Sequence, residues 1–313
     1  MRLRASLLSG TALLVLPLAA SGSPLFTENF DVDPTANWTV NNGPGSGSAD
    51  FFFDYSTVGI PSAPNSGGST RGLKLQANLT GGVFSGLSAS PNGLNLTGEY
   101  RVQFDLWANF NGPFPGGGNG STNLSTFGVG TGGASAQWPG GTQDSVWFGA
   151  TGDGGSASDY RAYSTAAPTS YASGNPVYAA PGGAINNTSA YYASLGGVSA
   201  PAAQTTLFSQ QSGVTNVGSA GMAWHDVTID VTATQVIWAI NGLRIAAVDL
   251  STVTLGGGNI FFGHSDINGT SSTDPNAPAL LFTLIDNVRV VPEPSALAVL
   301  GAAGAVLGLR RRK

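Results

Sequence analysis

The chain has 313 residues, with 12 Lys and Arg against 17 Asp and Glu, two His, 46 Gly and no Cys. Without cysteine there is neither a disulfide framework nor thiol chemistry, so the chain must rely on its core. Between residues 24 and 290, six basic residues stand against sixteen acidic ones, a net charge near −10 (6 − 16), and phosphate binding needs clustered Lys and Arg, so nucleic acid is excluded as a partner.

The chain opens with Met1-Arg2-Leu3-Arg4, an apolar run from Leu7 to Leu18, and the small residues Ala19-Ala20-Ser21-Gly22-Ser23. A positive start, a short apolar core and small residues at the cut are what signal peptidase needs, so residues 1–23 are expected to form a signal helix that is removed. The apolar run is shorter than the roughly 20 residues that span a bilayer.

Residues 24–290 show alternation of period two and no long helical period. In Glu99–Ala108, Tyr100, Val102, Phe104, Leu106 and Ala108 fall on one face, and Arg101, Gln103, Asp105 and Trp107 on the other, the pattern of a half-buried strand. Val227, Ile229 and Val231 alternate with Thr228, Asp230 and Thr232. Asn241-Gly242 joins two further runs, and because this dipeptide accepts the positive φ angles of a type I′ turn, residues 235–248 read as a tight hairpin. Other strand candidates are Phe51–Tyr55, Leu73–Ala77, Val146–Ala150, Asn259–Phe262 and Leu280–Val290. About fourteen short strands with Gly-rich turns mean an all-β sandwich or barrel. Two sheets suit it better, because segments such as 280–285 are apolar on both faces.

Residues 162–225 break the pattern, being free of charge before His225 and rich in Gly, Ser, Ala and scattered Tyr. Either they form a ligand-facing loop in which Tyr rings meet a sugar, or they are a surface insertion whose rings cover a sheet.

The chain ends in Val291-Pro292-Glu293-Pro294, an uncharged run from Ser295 to Leu309, and Arg310-Arg311-Arg312-Lys313. A Pro-Glu-Pro punctuation, a short transmembrane helix and a basic cluster engage a membrane with the cations on the cytoplasmic face. This tail resembles the PEP-CTERM sorting signal of surface proteins in biofilm-forming Gram-negative bacteria. The resemblance implies export to the cell surface or extracellular matrix, with signal peptidase and an exosortase-like enzyme as processing partners, the latter acting near Pro292, Glu293 and Pro294. The body, with its opening Phe26-Thr-Glu-Asn-Phe-Asp31, its Ala223-Trp-His-Asp-Val-Thr-Ile-Asp230 strand before the Asn241-Gly242 hairpin, and its closing Leu284-Ile-Asp-Asn-Val-Arg-Val290, is similar to the concanavalin-like, laminin-G-like jelly roll of two antiparallel sheets.

Glycanases on that sandwich usually carry Glu-x-Asp-x-x-Glu along one strand. Only Glu28 and Glu99 occur between residues 24 and 290, and neither lies in such a motif. Glycoside hydrolysis needs two carboxyls flanking the scissile bond. His225 and His264 are the only histidines, and no Gly-x-Ser-x-Gly elbow accompanies them. The body is therefore read as non-catalytic.

Calcium takes six to eight hard oxygens. Asp31-Val-Asp33, Asp153–Asp159 and the segment from Asp266 to Asn276 offer them, and the last is richest, with Asp266, Asn268 and Asp274 as candidate ligands. Each segment reads equally as a capped turn, since Asp and Asn bond their own backbone in loops. The resemblance implies a calcium at the loop rim that meets the ligand. Trp107, Trp138, Tyr171 and Tyr178 are the candidate aromatic contacts for an extracellular polysaccharide. Three functions fit: a structural matrix protein, a calcium-dependent lectin-like module, and, against the missing Glu pair, a divergent glycan hydrolase or lyase.

Overall fold

The computed structural model describes residues 23–293, apart from 81, 117–121 and 142. The expected signal helix up to residue 22 and the tail from Pro294 onward lie outside the described residues. Among the described residues, no helix is long and apolar enough to cross a membrane.

The described strands run in chain order as β1 (Phe26–Glu28), β2 (Trp38–Asn42), β3 (Gly47–Asp54), β4 (Arg71–Ala77), β5 (Ser85–Pro91), β6 (Tyr100–Asn109), β7 (Asn123–Thr131), β8 (Val146–Thr151), β9 (Tyr160–Tyr163), β10 (Trp224–Val231), β11 (Gln235–Ile240), β12 (Leu243–Asp249), β13 (Asn259–Asp266) and β14 (Phe282–Pro292). They form two antiparallel sheets. The larger has the order β12-β11-β10-β6-β14-β4-β3, with β1 also on β14, and the smaller β2-β5-β13-β7-β8-β9. This is the expected two-sheet antiparallel sandwich.

The alternation read in β6 holds. Tyr100, Val102, Phe104 and Leu106 enter the core between the sheets together with Val227, Ile229 and Val231 of β10. Phe104 lies edge-on to Phe127 and Phe262 of the opposite sheet, at centroid distances of 5.1 and 4.9 Å. Trp238 of β11, wholly buried, meets Phe127 at 5.4 Å and stacks on Phe148 at 5.2 Å. Such aromatic contacts bind the layers beyond the burial itself, by about 0.5–1.5 kcal/mol for each pair. The hairpin is also as expected, with Asn241 and Gly242 at φ of 51° and 77°.

The insertion after β9 resolves to the packed alternative. Its residues 177–179 pair with β12: the Ala179 N–H donates to the Ile245 carbonyl at 2.9 Å and the Ala247 N–H to the Val177 carbonyl at 2.7 Å. Since β9 and β12 are the margins of the two sheets on one side, the insertion passes from one margin to the other and covers backbone groups that would otherwise be open to pairing with another chain. Its tyrosines are structural. Tyr192 stacks on Tyr160 of β9 with centroids 4.2 Å apart, and Tyr178 is buried in the core.

The closing strand differs from expectation at both ends. Residues 277–280 form a helical turn, so β14 starts at Phe282, and it continues past 290 to Pro292, which lies opposite Tyr100.

Candidate functional site

On the outer face of the larger sheet the side chains divide into two regions. One half is apolar: Trp107, Phe282 and Leu284 are covered by Tyr55, Val58 and Ile60 of the segment after β3, by Ala200 and Met222 of the insertion, and by Ala277 and Leu281. The other half is polar, and a groove of about 430 Å³ opens there, with walls that include Glu28, Asn29, Asn65, Gln103, Asn287 and Arg289.

Three aspartates lie behind or beside this groove because of strand register. Asp226 of β10 and Asp286 of β14 are both directly opposite Asp105 of β6. Like charges facing each other across a sheet are destabilising, so each needs donors. Asp105, fully buried, accepts from the Asn65 side-chain amide at 2.8 Å, the Asn65 N–H at 3.2 Å and the Asn287 side-chain amide at 2.8 Å. Asp226 accepts from Gln103 Nε2 at 2.8 Å.

Asn287 reaches Asp105 because β14 is bulged. The register shifts between Asp286 and Arg289, and Asn287 has φ of 52°, a left-handed conformation that Asn tolerates better than most residues. An unbroken β14 would turn residue 287 inward.

Asp286 is the unusual group. It is fully buried; one oxygen accepts from the Asn287 N–H at 2.7 Å and the other lies 3.0 Å from the Tyr55 hydroxyl. That hydroxyl also lies 3.0 Å from the Ser69 carbonyl and accepts from the Ala63 N–H at 3.1 Å. One phenolic proton cannot serve two acceptors. All three contacts are satisfied when Asp286 carries a proton and donates to Tyr55 while Tyr55 donates to Ser69. Burial pushes the Asp286 carboxyl up to about 7; the charges of Asp105 and Asp31 add to the rise, and the Asn287 N–H opposes it.

The residues expected to bind ligand lie elsewhere. Trp107 is 2% exposed, is edge-on to Trp224 at 5.7 Å, and donates its indole N–H to Asn109 at 2.9 Å. Trp138 is 8% exposed and covers Gly86, where a Cβ would come within 2.6 Å of its own Cβ. Tyr178 is buried with its hydroxyl donating to the Tyr171 carbonyl at 2.7 Å, and Tyr171 is half-buried with its hydroxyl 2.9 Å from Ser164 Oγ. The expectation of exposed aromatic platforms is thus corrected at these four positions: their faces are used in packing.

The expected calcium ligands are also used internally. Asp266 is buried and accepts from Asn78 Nδ2 at 2.7 Å and the Asn268 N–H at 2.9 Å, which ties β13 to the end of β4; burial raises its carboxyl to about 6. The Asn268 side chain bonds the Thr122 hydroxyl at 3.0 Å, and Asp274 caps the turn before Ala277 by accepting from the Asn276 N–H at 2.8 Å. Among the described residues no group of three or more acidic or histidine side chains is drawn together for a metal. In this structure these residues serve as turn caps and sheet ties.

Pro292 and Glu293 close the described chain. The Glu293 N–H donates to the Glu99 carbonyl at 3.2 Å, and its carboxylate lies 3.2 Å from Arg101 Nε, which is also bonded to Asp230 at 2.5 Å. Pro294 lies outside the described residues. The two histidines are buried and neutral: His264 bonds Thr283 at 2.9 Å and Asn123 at 2.8 Å, and His225 bonds Asn241 at 3.0 Å. Burial lowers them to about 3 and about 4.

No family model matches the chain, and no curated protein matches it. Among solved structures, it is similar to one from work on the endo-acting O-glycanases by which prominent members of the human gut microbiota initiate mucin breakdown, at 14% identity over 87% of this chain and 100% of that one, with a TM-score of 0.46. A protein of unknown function with a galectin-like fold from Bacillus subtilis is 11% identical over 87% and 97%, at 0.43. An endo-1,3-beta-glucanase from Streptomyces sioyaensis is 12% identical over 87% and 97%, at 0.44. Likenesses this distant assign neither ligand nor reaction, and the fold rests on the strand pairing above.

Proposed function

We propose that the chain is an exported, surface-sorted protein whose β-sandwich binds carbohydrate without catalysis, through the groove between β1, β6 and β14. The observation that carries this reading is the groove itself: a concave, polar surface with four side-chain amides and a guanidinium, held on β6 and β14 and on the segments beside them. Planar hydrogen-bonding groups on a rigid scaffold suit the many hydroxyls of a sugar polymer.

Absence of catalysis is supported by the carboxyl geometry. The facing pair Asp105 and Asp286 is fully buried and bonded to donors of the protein. Glu28 has one oxygen occupied by the Phe30 N–H at 2.9 Å and faces no second carboxyl among the described residues that line the groove. A glycoside hydrolase needs both an acid and a base or nucleophile open to the bond being cut.

The sequence of both termini supports the rest: export by signal peptidase, membrane engagement through the tail before processing, and action of an exosortase-like enzyme near Pro292-Glu293-Pro294. The matrix or outer surface of a Gram-negative cell is then where an extracellular polysaccharide would be met. The test is retention of the purified chain on immobilised polysaccharides, with calcium and again with chelator. Retention on one glycan class that Gln103→Leu weakens supports the reading. Retention on none, with the chain folded, would refute it.

A further inference from the structure

The groove presents oxygen to its ligand. Four amides line it, and each directs its NH2 group at an aspartate: Asn65 and Asn287 at Asp105 and Gln103 at Asp226, all at 2.8 Å, and Asn29 at Asp31, at 2.7 Å. An aspartate oxygen fixes which end of a carboxamide faces it, since the amide nitrogen can only donate and the amide oxygen can only accept. The opposite ends are carbonyl oxygens; that of Asn29 accepts from the Asp31 N–H at 3.3 Å, and those of Asn65, Gln103 and Asn287 accept no hydrogen bond from the described residues. Glu28 adds a fourth acceptor, because only one of its oxygens is occupied by the Phe30 N–H.

Arg289 is the only cation among the groove residues; it is exposed and has no ion pair among the described residues. Against it stand Glu28 on the wall and Asp105 and Asp226 behind the amides, so the field in the groove is negative as well as rich in acceptors. A uronic or sulfated sugar meets repulsion and surplus acceptors. A neutral sugar can turn its hydroxyls to donate, without gain from the field. An ammonium group has donors only and carries the complementary charge.

We infer that the groove selects amine-bearing sugars, of the unacetylated glucosamine type, over their N-acetylated, neutral and uronic counterparts. This rests on the groove being the carbohydrate contact, and it makes Asp105 and Asp226 positioning residues that keep the amide oxygens outward. The charge of the chain as a whole would attract any polycation loosely, so selectivity has to depend on single groove residues.

The test is calorimetric titration of the purified chain with short oligomers of glucosamine, N-acetylglucosamine, glucose and a uronic acid. The glucosamine oligomer should bind at least about tenfold more tightly than the acetylated one, the ratio expected from a single charge-assisted hydrogen bond. Gln103→Leu, on a half-buried surface position, should remove most of that ratio, and Arg289→Gln should tighten glucosamine binding a few-fold. Equal binding of the acetylated oligomer, or glucosamine binding that Gln103→Leu leaves unchanged, would overturn the inference. Tightest binding of the uronic oligomer, lost in Arg289→Gln, would also overturn it while leaving the groove as the carbohydrate contact. No binding of any oligomer by the folded chain would overturn both.

Discussion

Replacing Asp286 by Asn separates the charge of this group from its hydrogen bonds. The Asn oxygen can accept from the Asn287 N–H as Asp286 does, and its NH2 can donate to Tyr55, reproducing the protonated acid. In the native protein the carboxyl holds its proton up to about 7, whereas an unfolded Asp releases it near 3.8. A carboxyl whose folded pKa is raised makes the unfolded chain bind fewer protons between those values, so stability falls as pH rises across that window and is level above it. From pH 5 to pH 7 the window covers two units at 1.36 kcal/mol each, so the native protein should lose about 2–3 kcal/mol through this one group, and Asp286→Asn should lose none of it. The assay is urea unfolding of both proteins at pH 5 and pH 8. Taking the difference between proteins at each pH cancels the other titrating groups, including the histidines, whose lowered values act in the opposite direction. The stabilisation of Asp286→Asn relative to the native protein should be about 2–3 kcal/mol larger at pH 8 than at pH 5. A variant whose effect is the same at both values would refute the assignment of a proton to Asp286 and the bonding scheme around Tyr55.

The buried histidines should show no ring titration by NMR between pH 5 and pH 8, and since their folded values lie below 6.5, the stability they contribute is lost as pH falls from 6.5 toward 4 for His225 and 3 for His264. Asp159→Ala should destabilise by about 3–5 kcal/mol, read as a lower urea midpoint, because it removes an acceptor from Thr151, Ser156, Asn186 and Asn187 at a buried site where the insertion returns to the sheet. Gly218→Ala should cost about 2 kcal/mol or more, with faster proteolysis of the insertion, since φ is 83° there and a Cβ would come within 2.1 Å of the Asn187 carbonyl. Mass spectrometry of the mature surface protein should find a C-terminus near Pro292-Glu293-Pro294; an intact Lys313 would refute processing there.

Most of the sandwich was legible because its strands carry one apolar face. Tyr100–Ala108 and Val227–Val231 alternate so regularly that both strand and face could be read. The strands β5 and β7 escaped, since Ser85-Gly-Leu-Ser-Ala-Ser-Pro91 is built of small and polar residues buried on both faces, and burial without apolar bulk leaves no periodic signal. Alternation correctly put Trp107 on the outer face, yet it could not tell that residues 55–60, the insertion and the turn at 277–281 cover that face. The groove was hidden for a different reason. Its parts come from residues 28, 65, 103 and 287, and they meet through a cross-strand register that no local pattern encodes. The one local cue was Asp286-Asn287 interrupting an otherwise apolar strand, which is the composition of a bulge.

The course of β14 decides how the domain carries a load. Its C-terminal end emerges at Pro292 from an interior strand, paired with β6 from Asn109 to Tyr100. A pull on a surface tether at that end acts along the strand, so the bonds to β6 resist together, in shear. Phe26 lies beside Val290, so drawing the two ends of the domain apart would instead peel β1 from β14 pair by pair. A protein held by its tail and dragged through its body by a bound polymer would be loaded in the stiff direction, and one stretched between its ends in the compliant one.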